Sequence, residues 1–404
     1  MNPILPAVDR DAPSAAFIAE TRRLYPTEAE IDRALTRRAE RRASGPFRNP
    51  SLADLVRYLE AMLRDEVGGE FAVTDPQWLG GGGSKLQMRF VLRRDEPGRG
   101  RTATDLVLRM EPAESLNPSS RTREFQVLAA VADILPVPAV YWVDDHGRWF
   151  PEPTLVYGFS RGVAKPTLFS NKRVTGLGTN FGPDLRANLA PQFVAALATL
   201  HTFDFAGHDL SSFDVPALGT TQSAEWQINR AIRGWVEDRA DDIPLIDVAE
   251  SWLRRNVPPL DRASVLHGDY RSGNFLFDEA SGQVTAWLDW ERTAIGDRHR
   301  DLAWATSEAI GHYAEDGSTF LVCGMLPLDD FLEQYERASG LTVDPDRMRF
   351  YTILSRLQQV ATVLGTGYRV VRLGKSHQDI LMARIEAAAY VLGEELRREL
   401  LAAV

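Results

Sequence analysis

The sequence predicts an α+β fold in which a small antiparallel β-sheet with one helix precedes a larger, mainly helical part. Apolar residues alternate with period two in several segments between about 71 and 158, which is typical of half-buried strands. From about 186 onward helical spacing dominates, apart from one short strand pair near 275–288. We therefore expect three regions: an N-terminal helical arm (1–50), a sheet region (51–158) and a helical region (159–404).

The composition is that of an ordinary globular protein, and it excludes several functions. Of the 404 residues 44% are hydrophobic, and the formal net charge of −10 disfavours a nucleic-acid partner. The single cysteine, Cys323, excludes an internal disulfide or a cysteine-based zinc site. Because no apolar run approaches the ~18 residues of a membrane span and no signal peptide is evident, we expect a cytoplasmic protein without a membrane partner. The oligomeric state stays open.

Two capping patterns mark helices ahead of the sheet. The first, Thr27-x-x-Glu30, precedes a charged helix with a thin apolar stripe, which we expect to lie on another part of the protein. The second, Ser51-x-x-Asp54, opens a helix with a fuller apolar face that ends at Gly68.

A glycine-rich stretch follows, reading LGGGGSKL over residues 79–86. It is not a Walker A loop, because serine precedes Lys85 and the next element is a strand rather than a helix. We expect the glycines at the tip of a β-hairpin. Such a tip can donate backbone N–H groups to phosphates, or it can be a plain turn, and this stretch leaves both readings open.

The remainder of the chain divides into strands and helices. A third strand places Leu106, Leu108 and Met110 on one face and Arg109 on the other. A helix starting near Asn117 follows, and two more strands complete the sheet. Further helices are predicted at 191–204, 224–239, 245–256, 301–313, 328–338, 346–371 and 377–401.

One hairpin in the helical region carries the groups of chemical interest. Its strands, 275–277 and 284–288, bring Asn274 close to Asp289 at the hairpin mouth. An amide oxygen and a carboxylate can bind the same hard cation. A site with a small number of protein oxygen ligands, which leaves room for phosphate oxygens, suits Mg²⁺. Asp269, on the preceding turn, could accept a proton from a substrate hydroxyl. Each residue alone is more often a turn or helix cap, but the three together predict phosphoryl transfer.

These motifs resemble a known family. Residues 267–274 read HGDYRSGN, residues 288–291 read LDWE and residues 296–303 read GDRHRDLA. This set is similar to the signature of the aminoglycoside phosphotransferase and choline kinase superfamily. More narrowly, it resembles the phosphotransferase domain fused to some acyl-CoA dehydrogenases and its free-standing bacterial relatives. The resemblance covers roughly residues 70 to 390 and implies a protein-kinase-like fold with two lobes.

The resemblance also implies roles for individual residues. Asp269 would be the base, and Asn274 and Asp289 would hold magnesium. Arg109 would replace the usual third-strand lysine and pair with Glu124. His267 and Asp297 would brace the loop that carries Asp269. The phosphates of ATP would lie under the glycine loop, formed by Gly81, Gly82, Gly83 and Ser84, with Lys85 as an alternative phosphate ligand. The adenine would meet main-chain groups near Val156, Tyr157 and Phe159.

The sequence therefore predicts an ATP- and Mg²⁺-dependent kinase acting on the hydroxyl of a small molecule. Acidic residues in the later helices would suit an aminoglycoside, which is a cationic antibiotic. A macrolide antibiotic is a further candidate substrate. An anionic metabolite, such as a hydroxyacyl thioester of coenzyme A, would instead suit three arginines, Arg356, Arg369 and Arg372, if they face the cleft. A nucleotide-binding pseudokinase is the non-catalytic alternative. The presence of Asp269, Asn274 and Asp289 argues against this alternative.

Overall fold

The structure is a computed structural model, and it describes residues 9–44, 48–80, 85–96, 98–167, 178–374, 382, 386 and 389–404. Three helices precede the sheet: α1 (Ala15–Leu24), α2 (Ala29–Arg41) and α3 (Leu52–Glu66). The predicted capping box is present on α3, where Ser51 and Asp54 satisfy each other's backbone N–H groups. The box predicted for α2 is wrong, because Glu28 occupies the N-cap position and its side chain makes no capping hydrogen bond. The N–H of Ala29 donates instead to Asp214 at 2.6 Å.

The sheet has five antiparallel strands in the order β1-β2-β3-β5-β4. Its strands are β1 (Phe71–Trp78), β2 (Leu86–Glu96), β3 (Gly100–Met110), β4 (Val140–Asp144) and β5 (Thr154–Gly158). Helix α4 (Arg121–Val131) lies between β3 and β4 in the chain, and its N-cap is Ser120, later than the predicted start near Asn117. Because β1 and β2 pair antiparallel, the glycine-rich segment joins two strands, as predicted.

The described residues of the helical part form the remaining helices and six short strands. The helices are α5 (Pro183–Thr202), α6 (Gln222–Asp238), α7 (Pro244–Arg255), α8 (His299–Ala305), α9 (Leu328–Ser339), α10 (Pro345–Ala361), α11 (Tyr368–Leu373) and α12 (Ala389–Ala402). The strands form three pairs, β6 (Ser264–Leu266) with β9 (Ala294–Gly296), β7 (Phe275–Asp278) with β8 (Gln283–Trp287), and β10 (His312–Tyr313) with β11 (Phe320–Leu321). Among the described helices, none is both long and apolar enough to cross a bilayer.

Each face of the sheet has its own apolar core. Side chains such as Leu106 and Leu108 pack with Leu55 and Leu59 of α3 on one face. Val107, on the opposite face of β3, belongs to a core that extends through α4 into the helical part. The alternation predicted for β3 is therefore confirmed. The sheet and the helices meet through a continuous apolar contact, with β7 and β8 close to this junction.

Helix α2 bridges the two parts through ion pairs. Arg41 reaches Glu152, which precedes β5, with Nη1 and Oε2 at 2.6 Å. Arg38 reaches Asp238 at the end of α6, with Nη2 and Oδ2 at 3.1 Å, and Arg42 also pairs with Asp238. The N-terminal arm therefore lies against another part of the protein, as expected, although the boundaries at 50 and 158 stay a prediction.

Candidate active site

The hairpin of β7 and β8 forms as predicted and sets the position of two polar residues. Phe275 pairs with Trp287, and the N–H of Leu288 donates to the carbonyl of Asn274 at 2.8 Å. Asp289 is the next residue and adopts a left-handed backbone conformation with φ 65° and ψ 50°. This conformation is uncommon for a residue other than glycine and ends the strand abruptly at the hairpin mouth. The Asp289 side chain keeps 27% of its surface exposed.

Asp269 lies beside this mouth with both carboxylate oxygens engaged. Its Oδ2 accepts a hydrogen bond from Asn274 Nδ2 at 2.8 Å, and its Oδ1 accepts from Trp304 Nε1 at 2.7 Å and from Arg271 Nε at 3.0 Å. Burial would raise the pKa of Asp269, but Arg271 and Arg292 hold that pKa below its ordinary value. The carboxylate is therefore ionised and oriented at neutral pH, as a proton acceptor must be.

The loop carrying Asp269 is braced from beneath by another carboxylate. Asp301 accepts hydrogen bonds from the N–H groups of His267, at 2.7 Å, and Gly268, at 2.8 Å. The His267 ring contacts the carbonyl of Leu288 at 3.0 Å, which ties this loop to the hairpin. Asp297, which we expected to brace the loop, instead pairs with His299 and Arg347. Asp301 lies within the motif GDRHRDLA, but the sequence gave no signal that it would brace the loop.

Arg109 joins the sheet to the hairpin mouth. Its Nη1 donates to Glu124 of α4 at 3.1 Å, and its Nη2 donates to Asp289 and, at 2.9 Å, to Glu291. Burial would lower the pKa of Arg109, but these three carboxylates raise it well above the ordinary value. The pair of Arg109 and Glu124 is thus present, and its part in nucleotide binding stays a prediction.

Glu291 is a central residue that the sequence reasoning missed. Its carboxylate contacts Arg109, lies 3.3 Å from Lys85 Nζ and accepts a hydrogen bond from Asn117 at 2.9 Å. Burial would raise its pKa, but Lys85, Arg109 and Arg121 hold that pKa well below its usual range. A glutamate two residues after Asp289, in the sequence LDWE, was the available signal. Glu291 ties the hairpin to the sheet region through Arg109 and Lys85.

Lys85, the alternative phosphate ligand, is buried and already occupied. Its Nζ lies 2.6 Å from Glu111 and also donates to Ser115 at 2.8 Å. Together with the contact between Lys85 and Glu291, these contacts favour a structural role for Lys85, which directly precedes β2. The expected phosphate cover, Gly81–Ser84, lies outside the described residues.

The strand proposed to meet adenine, β5, lies inside the sheet rather than at its edge. Val156 and Tyr157 of β5 pair with β3 on one side and β4 on the other. The N–H groups of the next two residues are also used, by Gly158 toward Ala139 and by Phe159 toward Asp105. An adenine contact at this strand therefore needs carbonyl groups here or N–H groups further along the chain, and it stays a prediction.

The donor atoms at the hairpin mouth fit a magnesium ion. Asp289 supplies a partly exposed carboxylate, and Asn274 directs its Nδ2 to Asp269, while none of the described residues donates a hydrogen bond to its Oδ1. No described group of three or more histidine, cysteine or carboxylate side chains could hold a metal without further ligands. One carboxylate and one amide oxygen, completed by water and phosphate oxygens, is a usual arrangement for Mg²⁺.

The three arginines considered for an anionic substrate are committed elsewhere. Arg356 pairs with Glu395 at 3.0 Å, Arg369 with Glu114 and Asp238, and Arg372 with Asp11. They therefore do not supply free positive charge to the cleft. Trp287, Trp290 and Trp304 all belong to the buried core, and Trp304 also donates a hydrogen bond to Asp269.

A sheet lobe joined to a helical lobe, with Asp269, Asn274 and Asp289 gathered at a hairpin between them, is the arrangement of a kinase-like phosphotransferase. The phosphotransferase enzyme family, APH, matches residues 84–351, which is about two thirds of the chain. The protein belongs to this family. It is thus an enzyme that transfers a phosphoryl group to a hydroxyl acceptor, and the predicted family and fold are confirmed.

Curated relatives point in two directions. Acyl-CoA dehydrogenase family member 11 of Homo sapiens is 25% identical over 292 residues, which are 68% of this chain and 34% of that protein. Acyl-CoA dehydrogenase family member 10 of Mus musculus is 26% identical over 207 residues, 50% of this chain and 18% of that protein. The aminoglycoside 3'-phosphotransferase of Streptomyces fradiae is 30% identical over 138 residues, 34% of this chain and 44% of that protein. The chain thus spans about a third or less of the length of the two dehydrogenase relatives.

Solved structures support the fold. The crystal structure named a putative aminoglycoside phosphotransferase, from Ralstonia eutropha, superposes with a TM-score of 0.62 at 21% identity. The match covers 86% of this chain and 98% of that one. A thermostable mutant of aminoglycoside phosphotransferase APH(4)-Ia superposes with a TM-score of 0.50 at 17% identity, covering 85% of this chain and 99% of that chain. At these identities the likeness concerns the fold alone.

Proposed function

We propose that this protein is a magnesium-dependent kinase that transfers the γ-phosphate of ATP to the hydroxyl of a small metabolite. The observation that carries the proposal is the convergence of Asp269 and Asn274, hydrogen-bonded at 2.8 Å, beside the partly exposed Asp289. Buried cations, foremost Arg109, supply the positive charge at the site. This set supplies the base, the metal ligands and the cations that phosphoryl transfer requires.

Asp269 is the proposed base. Trp304 and Asn274 each hold one of its carboxylate oxygens, so the side chain has little rotational freedom. It would accept the proton of the substrate hydroxyl as the oxygen attacks phosphorus. The bond from phosphorus to the leaving ADP oxygen breaks, and the phosphoryl group passes to the acceptor. Orientation is the main contribution of the protein here, since such a reaction asks little covalent chemistry of the side chains.

Asn274 and Asp289 are the proposed magnesium ligands. When bound, the ion would neutralise charge on the phosphate oxygens of the nucleotide. Asp289 also contacts Arg109, so the same carboxylate links the metal site to the β3 cation. Arg109 is a permanently charged, forked group, which suits it to a site shared with phosphate.

A hydroxyacyl thioester of coenzyme A is the acceptor we favour. The support is that relatives covering about two thirds of this chain are named acyl-CoA dehydrogenase family members, although this chain spans only a third of their length. A kinase for a hydroxyacyl thioester would act on a compound of the acyl-CoA class that appears in the names of these relatives. An antibiotic acceptor is the second candidate, and the 30% identity to an aminoglycoside 3'-phosphotransferase favours it.

A panel of acceptors tests the proposal. The purified protein would be incubated with ATP and Mg²⁺ and with hydroxyacyl-CoA compounds, hydroxy acids, aminoglycosides and macrolides, and each mixture would be analysed by mass spectrometry. We expect an increase of one phosphoryl group, about 80 Da, on a hydroxyacyl compound. Phosphorylation of an antibiotic alone would establish the second candidate. Nucleotide binding with no phosphorylated acceptor would instead favour the pseudokinase.

A further inference from the structure

Three buried arginines near the proposed base have no acidic partner among the described residues. Arg230 of α6, Arg292 after Asp289 and Arg300 of α8 expose 8%, 9% and 3% of their surfaces. Other buried arginines in the described part of the chain pair with carboxylates, as Arg233 does with Glu237 and Arg42 with Asp238. No ion pair in that part joins any of these three arginines to a carboxylate. We call them the arginine triad.

Several guanidinium nitrogens of the triad make no hydrogen bond with described residues. These are Nη1 of Arg230, Nε of Arg292 and both Nη1 and Nη2 of Arg300. The contacts that do form are to neutral groups: Arg230 donates to the carbonyl of Pro118 at 3.2 Å, and Arg292 reaches Gln358 at 3.4 Å. Buried donors are normally satisfied, so open donors on three arginines indicate a missing acceptor.

The triad members lie close enough to repel one another. Burial and then the charges of Arg300 and Arg292 lower the pKa of Arg230 to about 9. Burial and then Arg300 likewise lower the pKa of Arg292 to about 10. Both values are still high enough to leave the groups charged at neutral pH. The three positive charges therefore act together and are poorly compensated by the protein.

The nearby acids are already engaged. The carboxylates whose charges act on Arg300 are, in order of effect, Asp301, Glu28 and Asp269. Asp301 accepts the N–H groups of His267 and Gly268, Glu28 pairs with Arg123 at 3.0 Å, and Asp269 pairs with Arg271 at 3.0 Å. Because Glu28 and Asp269 each already have an arginine outside the triad, Asp301 alone of the three is left to offset the triad, and the net local charge stays positive. Burying unpaired charge is costly, and a bound anion would relieve that cost.

A cavity and the proposed base both adjoin the triad. Arg230 and Arg292 line a cavity of about 40 Å³ between α2, α6 and the segment before α4, more than the ~10–15 Å³ that one water requires. The guanidinium of Arg292 stacks on the Trp304 ring at 4.2 Å, and Trp304 in turn donates its hydrogen bond to Asp269. The positive charge therefore lies one side chain away from the proposed base.

We propose that Arg230, Arg292 and Arg300 form an anion subsite that receives a phosphate or carboxylate group of the acceptor while its hydroxyl faces Asp269. This inference rests on the proposed kinase function, and it names the acceptor as an anionic hydroxy compound. Arginine is suited to the task, since its fork matches the oxygen geometry of both groups. A polycationic acceptor would meet repulsion at this position.

Binding of inorganic phosphate tests the subsite directly. The full chain would be saturated with Mg²⁺ and ADP, so that the nucleotide site is filled, and titrated with phosphate by calorimetry at constant ionic strength. We expect saturable binding that weakens about tenfold or more in Arg230→Gln and in Arg300→Gln. Arg337→Gln is the control, because Arg337 is exposed and pairs with Glu333 on the surface of α9. Absence of saturable binding, or equal binding in all variants, would overturn the subsite.

Thermal unfolding distinguishes a subsite from a structural role. In the absence of phosphate, Arg300→Met should raise the melting temperature, because an uncompensated buried charge is removed. Phosphate should raise the melting temperature of the wild type and leave that of Arg300→Met unchanged. A fall in the phosphate-free melting temperature of Arg300→Met would mean that the arginine is compensated within the protein, and the inference would be wrong.

Kinetics separate an acceptor group from a free anion. For an anionic acceptor found in the panel, KM should rise about tenfold or more in Arg230→Gln, with the KM for ATP unchanged. If KM for that acceptor does not change although phosphate binding is lost, the subsite serves a free anion and the acceptor assignment is wrong. Equal turnover of neutral or cationic acceptors would likewise refute the acceptor assignment and leave the kinase function intact. Phosphate binding without any phosphorylated acceptor would refute the kinase function instead.

Discussion

The Nδ2 group of Asn274 donates to both the main-chain oxygen and the side-chain Oδ2 of Asp269, each at 2.8 Å. One amide thereby fixes the loop that carries the proposed base against the hairpin that carries a proposed metal ligand. The amide oxygen is left for a cation. The proposed base and the proposed metal site are consequently tied to each other by a single side chain.

The first prediction concerns the base. Asp269→Asn should lower turnover by about 10²–10⁴-fold, because the side chain can no longer accept the hydroxyl proton. Affinity for ADP with Mg²⁺ should not change, since the proposed metal ligands are intact. The measurement is steady-state kinetics alongside nucleotide binding. Asp278→Asn, at the exposed end of β7, is the control and should turn over like the wild type. Wild-type turnover in the Asp269 variant would remove the base from the mechanism.

The second prediction concerns the metal. Asp289→Ala removes a carboxylate ligand, so the Mg²⁺ concentration needed for half-maximal nucleotide binding should rise by at least about 10-fold. A titration of Mg²⁺ at fixed ADP measures this midpoint. Glu124→Gln is a matched control, because Glu124 also pairs with Arg109 but is not a proposed metal ligand. An equal shift of the midpoint in both variants would assign the effect to Arg109.

The third prediction concerns Arg109 of β3. Arg109 contacts three carboxylates, and a lysine ammonium cannot reproduce that forked geometry. Arg109→Met should destabilise the protein by about 3–5 kcal/mol, since it removes a shared cation from the buried carboxylates of Glu124 and Glu291. Arg109→Lys should cost less and still impair nucleotide binding. Denaturant unfolding measures the free energy, and Arg89→Met is the control.

Arg89 offers a fair comparison for that experiment. It pairs with Asp105 at 2.9 Å on the same sheet, but both side chains are about 30% exposed. Its loss should cost less than about 1 kcal/mol. If the two methionine variants were equally stable, the network around Arg109 would contribute no more than a surface ion pair.

The hairpin was predictable from sequence because its signals are local. Two apolar runs, a turn with Gly282 and the polar residues at the ends follow one another within twenty residues, so pairing rules alone place Asn274 near Asp289. The alternation of β3 was equally local, and the structure confirms that Arg109 lies on the face opposite Leu108.

Contacts between distant segments were not predictable in this way. Asp301 holds the N–H groups of His267 and Gly268 from more than thirty residues away, and the loop's partner was therefore misassigned to Asp297. The triad also depends on tertiary packing, because Arg230 lies in a different helix from Arg300. A single sequence does not show which charges burial leaves unpaired.

Local competition explains the misplaced helix boundaries. The helix predicted for 301–313 ends at Ala305, because the following residues turn to form the small β10–β11 hairpin. At Gly311 in that segment, a methyl group would collide with the ring of Phe320, so close packing there requires glycine. The cap expected at Thr27 fails in a similar way, since Glu28 occupies the N-cap position.

The fourth prediction tests the packing of the Asp269 loop. Gly268 has φ 79°, and an added Cβ would collide with the carbonyl of Arg292. Gly268→Ala should therefore cost more than the ~1–2 kcal/mol of left-handed strain alone, and turnover should fall with it. Gly340→Ala is the control, because Gly340 has φ 69° with nothing within 4 Å of its Cβ position. Equal losses in the free energy of unfolding would show that the loop yields to the added methyl.

The fifth prediction concerns the contact of the N-terminal arm with α6. Arg42 is fully buried, donates to the carbonyl of Glu237 at 2.7 Å and pairs with Asp238, whereas the Arg41 side chain is 41% exposed. Arg42→Met should lower the free energy of unfolding by about 3 kcal/mol, because buried acceptors lose a charged donor. Arg41→Met, the neighbouring control, should lower it by less than about 1 kcal/mol. Urea denaturation of both variants measures the difference. Equal values would mean that the arm contributes no buried ion pair to stability, and that the bridge between the two parts of the fold lies elsewhere.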